Sequence, residues 1–290
     1  MKKLYMALAL AGTLGTARAG GPWPQLAGGG YLKLAEWWTV FDQHFTDSGL
    51  LDPNVTTGVF VSSLYGEYGF SDRLTGVVYF PFFIRNYTNN LRSATTGALL
   101  TPGEALNAPG DIDLSARYTF MKPGARLPLA ATLTLGLPTG KIGGGSLGNL
   151  QTGDGEFNQQ LQIEAGQGYS LLKQYQLYWS AWAGVNNRTR GYSDEFRYQL
   201  EAGLGLAQGR LWVINRLTAI HSLRNGLAPA DAAVSVGIFA NNTEWVSHSL
   251  EVAWKFRPQL GLSAGFATAF SGANVAAAPS FTVGVFWDWD

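Results

Sequence analysis

The chain has no cysteine and only three histidines among 290 residues. The absence of thiols excludes a disulfide framework, a Cys-ligated zinc or iron–sulfur site, and a cysteine nucleophile. Charge is scarce as well, at 14% of residues against about 25% in an ordinary soluble domain. Basic and acidic residues number 20 each, with a pI ≈ 6.8. The basic footprint of a nucleic-acid binder is therefore missing. Long apolar runs are missing too: beyond residue 19, nothing approaches the roughly 18 consecutive apolar residues of a membrane-spanning helix. Yet apolar residues make up 46% of the chain, too many for a disordered one.

Aromatics and glycine are abundant, with Trp 10, Tyr 12, Phe 16 and Gly 37. At the N-terminus, Lys2 and Lys3 precede the apolar stretch Leu4 to Leu10 and the small-residue site Ala17-Arg18-Ala19. Charged start, short apolar centre and A-x-A site together predict an export leader over residues 1–19, cleaved after Ala19. The apolar centre is well short of the roughly 20 residues a spanning helix needs. Losing Lys2, Lys3 and Arg18 leaves a slightly acidic mature chain.

Beyond the leader, apolar and polar residues alternate. Ile112, Leu114, Ala116, Tyr118 and Phe120 share one face, while Asp111, Asp113, Ser115, Arg117 and Thr119 share the other. Leu127 to Leu137 repeats the pattern at every second residue. Tyr175, Leu177, Trp179, Ala181, Ala183 and Val185 oppose Gln176, Ser180 and Asn186, and Phe196 to Leu206 oppose Arg197, Gln199 and Glu201. Successive strand side chains point to opposite faces, so each segment has one oily and one wet side. A soluble β-sandwich also alternates. Here, however, the strands are longer than the usual five or six residues. Aromatics also cluster at strand ends, as a membrane girdle places them, and the ionisable groups lie on the inner face.

Short turns near 71–73, 122–124, 172–174, 208–210 and 257–258 separate longer connections at 42–53, 87–109, 140–155, 187–194, 223–243 and 271–278. The expected fold is all-β: a transmembrane antiparallel β-barrel of about 12 strands, with short periplasmic turns and long extracellular loops. One domain spans residues 20–290. The apolar run 232–239 could add strand. The last segment alternates Phe281, Val283, Val285, Trp287 and Trp289 and ends on Asp290. It resembles the terminal signal read by the barrel-assembly machinery of the Gram-negative outer membrane.

The run Tyr65-Gly66-Glu67-Tyr68-Gly69-Phe70-Ser71-Asp72-Arg73-Leu74-Thr75 resembles the hairpin of the meta-pathway phenol-degradation-like barrels. Gly110-Asp111-Ile112-Asp113-Leu114, Leu137-Pro138-Thr139-Gly140 and Thr152-Gly153-Asp154-Gly155 are similar to that family too. The resemblance covers the chain from about Tyr31 onward and implies an outer-membrane uptake channel for aromatic or other hydrophobic compounds.

Three groups of residues are candidate sites. Gly140-Lys141-Ile142-Gly143-Gly144-Gly145 has a phosphate loop's glycines but lacks the Ser or Thr after lysine and the helix beyond. Lys141 and Asp154 therefore read as extracellular-loop residues. A lipid-facing Ser–His–Asn hydrolase needs His and nucleophile on one face. His221-Ser222 and Ser247-His248-Ser249 put them on opposite faces, and His44-Phe45-Thr46 lies where a strand gives way to a loop. The chain reads as non-enzymatic and without cofactor. The inward polar set is the third candidate: Glu67, Asp111, Asp113, Arg117, Gln160, Gln162, Glu164, Arg197, Gln199, Glu201, Glu251 and Lys255. Arg117, Arg197 and Lys255 are expected to pair with carboxylates across neighbouring strands, with Arg197 and Glu201 in one network.

Twelve strands lie between the eight that side chains can fill and the 16–18 that leave an open aqueous channel. That size implies a narrow or largely plugged lumen. The first functional reading is a narrow substrate-selective channel for small, aromatic or hydrophobic compounds. The second is a non-transporting barrel whose loops bind a partner or surface, and the third an outer-membrane lipid-modifying enzyme. Expected partners are outer-membrane lipid, the assembly machinery and a small hydrophobic solute, with no nucleic acid.

Overall fold

The computed structural model describes residues 20–42, 44–52, 57–93, 95–122, 125–171, 175–228 and 238–290. The leader 1–19, the turn 172–174, most of the turn 122–124 and most of the apolar run 232–239 lie outside them.

Twelve strands form one closed antiparallel sheet: β1 (Gly30–Phe41), β2 (Thr57–Gly69), β3 (Leu74–Thr88), β4 (Ile112–Thr119), β5 (Leu129–Leu137) and β6 (Asn158–Leu171). The second half is β7 (Tyr175–Asn187), β8 (Glu195–Leu206), β9 (Leu211–Ser222), β10 (Glu244–Lys255), β11 (Leu260–Ala273) and β12 (Ser280–Trp289). Each strand pairs with the next in sequence, and β1 closes the ring by pairing with both β2 and β12. Closure leaves no edge strand, which is what a sheet immersed in lipid requires.

The two faces separate as the alternation predicts. Leu34, Leu114, Leu133, Leu161, Ile163, Leu200, Val252, Leu262 and Val283 stand exposed on the outside. At the short-turn end, outward aromatics meet in pairs, Tyr68 with Phe70 at 5.2 Å, Tyr118 with Phe120 at 5.6 Å and Trp287 with Trp289 at 4.6 Å between ring centroids. Such amphipathic rings belong at the membrane–water boundary.

The long-loop end is more ordered than the alternation suggests. Glu104–Ala108 returns as a strand against the upper part of β3, and Leu91–Arg92 pairs with Leu99–Thr101, so 87–109 is a folded hairpin rather than a plain loop. Pro81 explains the switch of partner: β3 pairs with β4 from Leu74 to Tyr79 and with the returning strand from Ile84 to Thr88. Proline has no N–H to give the ladder, and its carbonyl accepts from Gly110 N at 2.8 Å. Two loops also join, as His44–Phe45 pairs with both Leu51–Asp52 and Val275–Ala276. These strands are too short to show a period of two.

Candidate functional site: the barrel lumen

Three groups of polar side chains line the inside. Nearest the short-turn end, Arg117 on β4 reaches Glu67 on β2 (Nη2–Oε1 3.3 Å) and Glu164 on β6 (Nε–Oε2 3.8 Å). All three are buried. Tyr65 donates its hydroxyl to Glu67, Thr132 donates to Glu164, and Gln162 Nε2 donates to Glu164 Oε1 at 3.0 Å. Every second residue of a strand faces inward, so these β2, β4, β5 and β6 side chains converge.

The opposite wall carries a second network. Arg216 on β9 bridges Glu201 on β8 and Glu251 on β10, the latter at 2.7 Å, and Lys33 on β1 reaches Glu251 at 2.6 Å. Tyr178 donates to Glu201 at 2.7 Å. Its ring lies over Gly203, where a Cβ would stand 2.0 Å from the ring, so glycine there makes room for tyrosine. Gln199 accepts from Thr218 at 3.2 Å, and Lys255 pairs with Asp288 lower down.

The third group sits at the mouth. Arg188, just beyond β7, contacts Asp154 at 3.3 Å, Glu195 at 2.7 Å and also Glu156, with the Tyr192 ring 4.6 Å from its guanidinium. Arg197 pairs with Glu195 and donates to Gln160 at 3.0 Å. Asp113 lies close enough to feel the charges of Arg197 and Asp154. Asp111 holds the 140–155 loop rather than a solute: its carboxylate accepts from Gly140 N at 2.8 Å and Asp154 N at 3.0 Å. Burial first, and then Asp154, pushes Asp111 up to about 6 against the pull of the Gly140 amide. Lys141 closes the same loop through its backbone, its N donating to Thr152 Oγ1 at 2.9 Å, while its side chain is exposed.

The pairing differs from the sequence expectation. Glu201 belongs to Arg216, not to Arg197, and Arg197 turns to Glu195 two residues away on its own strand. Arg117 and Lys255 reach past the adjacent strand to the second one over, because both side chains span the curved interior. Lys33, Arg216, Arg188, Glu195 and Tyr178 are also central, and the polar pattern did not point to them. Alternation alone would have placed Lys33 inward, between the outward Leu32 and Leu34. Arg216 is harder to see, because Ile214 and Ile220 make its inner face as oily as the outer one.

The outer face carries polar side chains as well. Ser62 donates to Glu36 at 2.8 Å, and His248 Nε2 lies 2.8 Å from Asn215 Oδ1. Ser247 and Ser249 flank His248 and by alternation turn to the other face, so these serines do not complete a lipid-facing triad. Among the described residues, no group of three or more His, Asp or Glu side chains gathers as metal ligands would.

Glu156 is fully buried, and its Oε2 has no hydrogen-bond partner. Burial, with Asp154 adding and Arg188 opposing, pushes its carboxyl up to about 8. A proton held more tightly in the fold than in the unfolded chain stabilises fully below the ordinary carboxylate range. That contribution is lost as pH rises through about 8. Amide exchange in the 140–157 loop, corrected for its intrinsic pH dependence, should therefore quicken between pH of about 6 and 9. Glu156→Gln should flatten that profile; a variant with the wild-type slope would exclude Glu156 as the titrating group.

Both ends of the lumen are partly closed. Leu150, Thr152 and Asn241 are buried in the loops, and Phe239 and Ala276 pack on a cluster of Val59, Val61 and Ile84 at the upper wall. At the other end, residues 20–28 fold into the opening. Arg117 Nη1 donates to Trp23 O at 3.3 Å, Thr119 Oγ1 donates to Pro22 O at 3.1 Å, and Gln25 N donates to Thr75 Oγ1 at 3.0 Å. The Trp23 ring meets Tyr178 edge-on at 5.7 Å. Beside this segment runs a cavity of about 1470 Å³, from Thr152 and Phe239 above to Gln208, Arg257 and Asp288 at the lower rim.

A closed twelve-stranded barrel with an oily outside, paired charges inside and loops of unequal length defines the class: the fold is that of outer-membrane β-barrels. An outer membrane channel from Pseudomonas putida F1 shares it with a TM-score of 0.60 at 15% identity, over 93% of this chain and 99% of that one. The NanC porin is a looser likeness, at a TM-score of 0.49 and 7% identity over 88% of this chain and 98% of that one. No family model matches the chain, and no curated protein matches it. The likeness thus extends to the fold of an outer-membrane β-barrel.

Proposed function

We propose that this chain is a narrow outer-membrane channel for small solutes, with aromatic and other hydrophobic compounds favoured. The observation that carries this reading is the cavity of about 1470 Å³ reaching from beneath the extracellular loops to the periplasmic rim. A barrel serving only as a scaffold has no need of such a space. Rings stand among the polar residues of its wall, including Tyr31, Trp37, Tyr79, Trp182, Trp212 and Phe286. Lys33, Arg117, Arg216 and Lys255 each have a carboxylate partner, so these four cations are already engaged with the wall. The description of the Pseudomonas protein as a channel points the same way.

In this reading the chain is exported under its leader, cleaved near Ala19 and inserted by the barrel-assembly machinery of a Gram-negative outer membrane. The inward polar residues then act as a selective wall. Purified protein in a planar bilayer should give small, discrete conductance steps, and a neutral phenolic solute added on the loop side should reduce them. A lasting absence of current would favour the non-transporting reading, for which the closely packed extracellular loops are the supporting observation.

A further inference from the structure

The cluster at the lower end of the lumen does not balance. Glu67 and Glu164 are both buried, and the ion pairs of the described residues give them Arg117 alone. Two carboxylates against one guanidinium leave an excess negative charge in a confined site, where an unpaired charge is costly. Hydrogen bonds from Tyr65, Thr132 and Gln25, the last donating Nε2 to Glu67 Oε2 at 2.8 Å, ease that cost without supplying charge. One further group reaches the cluster: Gly20 N stands 3.0 Å from Glu67 Oε1. Gly20 comes directly after Ala17-Arg18-Ala19.

We propose that cleavage between Ala19 and Gly20 creates the missing counter-ion, and that the Glu67 site receives the chain's own new N-terminus as an α-ammonium. The step is a hydrolysis by a signal-processing peptidase. Water breaks the peptide C–N bond, its oxygen goes to the Ala19 carbonyl carbon as a carboxylate, and Gly20 leaves as an amine. A free α-amino group has a pKa of about 7.7–8.0 and takes up a proton at neutral pH. A peptide N–H gives one hydrogen bond and no charge; an ammonium gives three and completes the pairing.

The backbone is built for this approach. Gly21 lies in the left-handed region, at φ 72°, which side-chain-bearing residues rarely adopt. A Cβ on Gly21 would stand 2.7 Å from the Trp23 ring. Gly21 turns the chain so that the Gly20 nitrogen faces Glu67 while Pro22 and Trp23 accept from Thr119 and Arg117. In the processed chain the segment 20–28 is then held in the opening by a charged contact as well as by these hydrogen bonds.

Intact mass of the protein purified from outer membranes should correspond to a chain beginning at Gly20. Its α-amine should react with acetic anhydride at neutral pH at least ten-fold more slowly in the folded barrel than in heat-unfolded protein. Glu67→Gln should bring the folded rate close to the unfolded one. A second variant, with two alanines inserted between Ala19 and Gly20, keeps the cleavage site but displaces the amine, and should label fast with Glu67 intact. Any other N-terminus, or equal labelling of folded and unfolded wild type, would overturn the proposal. So would slow labelling of the insertion variant. None of these readouts is a conductance, so their failure would leave the channel reading standing.

Discussion

Arg117→Ala should destabilise the barrel by about 3–5 kcal/mol, the range for breaking a buried ion pair by removing one partner. The Arg117 side chain is 6% exposed and those of Glu67 and Glu164 are 0% and 3% exposed, so the variant leaves both carboxylates without their guanidinium at a largely buried site. Arg224 is the internal comparison. It pairs with Glu244 at 3.0 Å but is 60% exposed, and Arg224→Ala should cost only about 0–1 kcal/mol. Reversible urea unfolding in lipid vesicles measures both. Similar losses for the two variants would mean that the Arg117 cluster is wetted rather than closed.

The second large effect lies on the other face. Leu133 sits midway along β5 and is exposed on the outside. Leu133→Arg should therefore impair assembly by about 2–4 kcal/mol if it lies near the bilayer midplane. Thr134, the next residue, lines the cavity and exchanges a hydroxyl hydrogen bond with Ser115 at 2.8 Å. Thr134→Arg forfeits about 1 kcal/mol for that bond and keeps its charge in the polar interior. Folding yield into vesicles should separate the two variants clearly. Equal damage would contradict the face assignment on which the whole barrel rests.

That assignment was legible because lipid and lumen impose opposite solubility on neighbouring residues. β8 is delimited by alternation alone from Glu195 to Leu206, and β5 and β7 differ from the alternating runs by a residue or two. Where the inner face is itself oily the signal fades, and Arg216 is concealed on a face shared with Ile214 and Ile220 for that reason. Pairing within the lumen was less legible than residence there. Strand order shows which residues face inward, but the curvature of the closed sheet decides which long side chain reaches which partner. Arg197 with Glu195, and Arg216 with Glu201, are outcomes of that curvature. The fold of residues 20–28 into the opening was not legible at all. It has no period, and its contacts depend on a cluster assembled from β2, β4, β5 and β6.

The central claim is that solute passes along the inside of this barrel, and the chain's lack of cysteine allows a direct test. Gln199 lines the cavity, whereas Leu200 stands exposed on the outer wall. Single-channel current through Gln199→Cys and Leu200→Cys, recorded before and after a bulky water-soluble thiol reagent, compares the two faces at one level. The account predicts a stepwise loss of current for Gln199→Cys and an unchanged current for Leu200→Cys. Current indifferent to modification at both positions, or no current from either variant or the wild type, would contradict it.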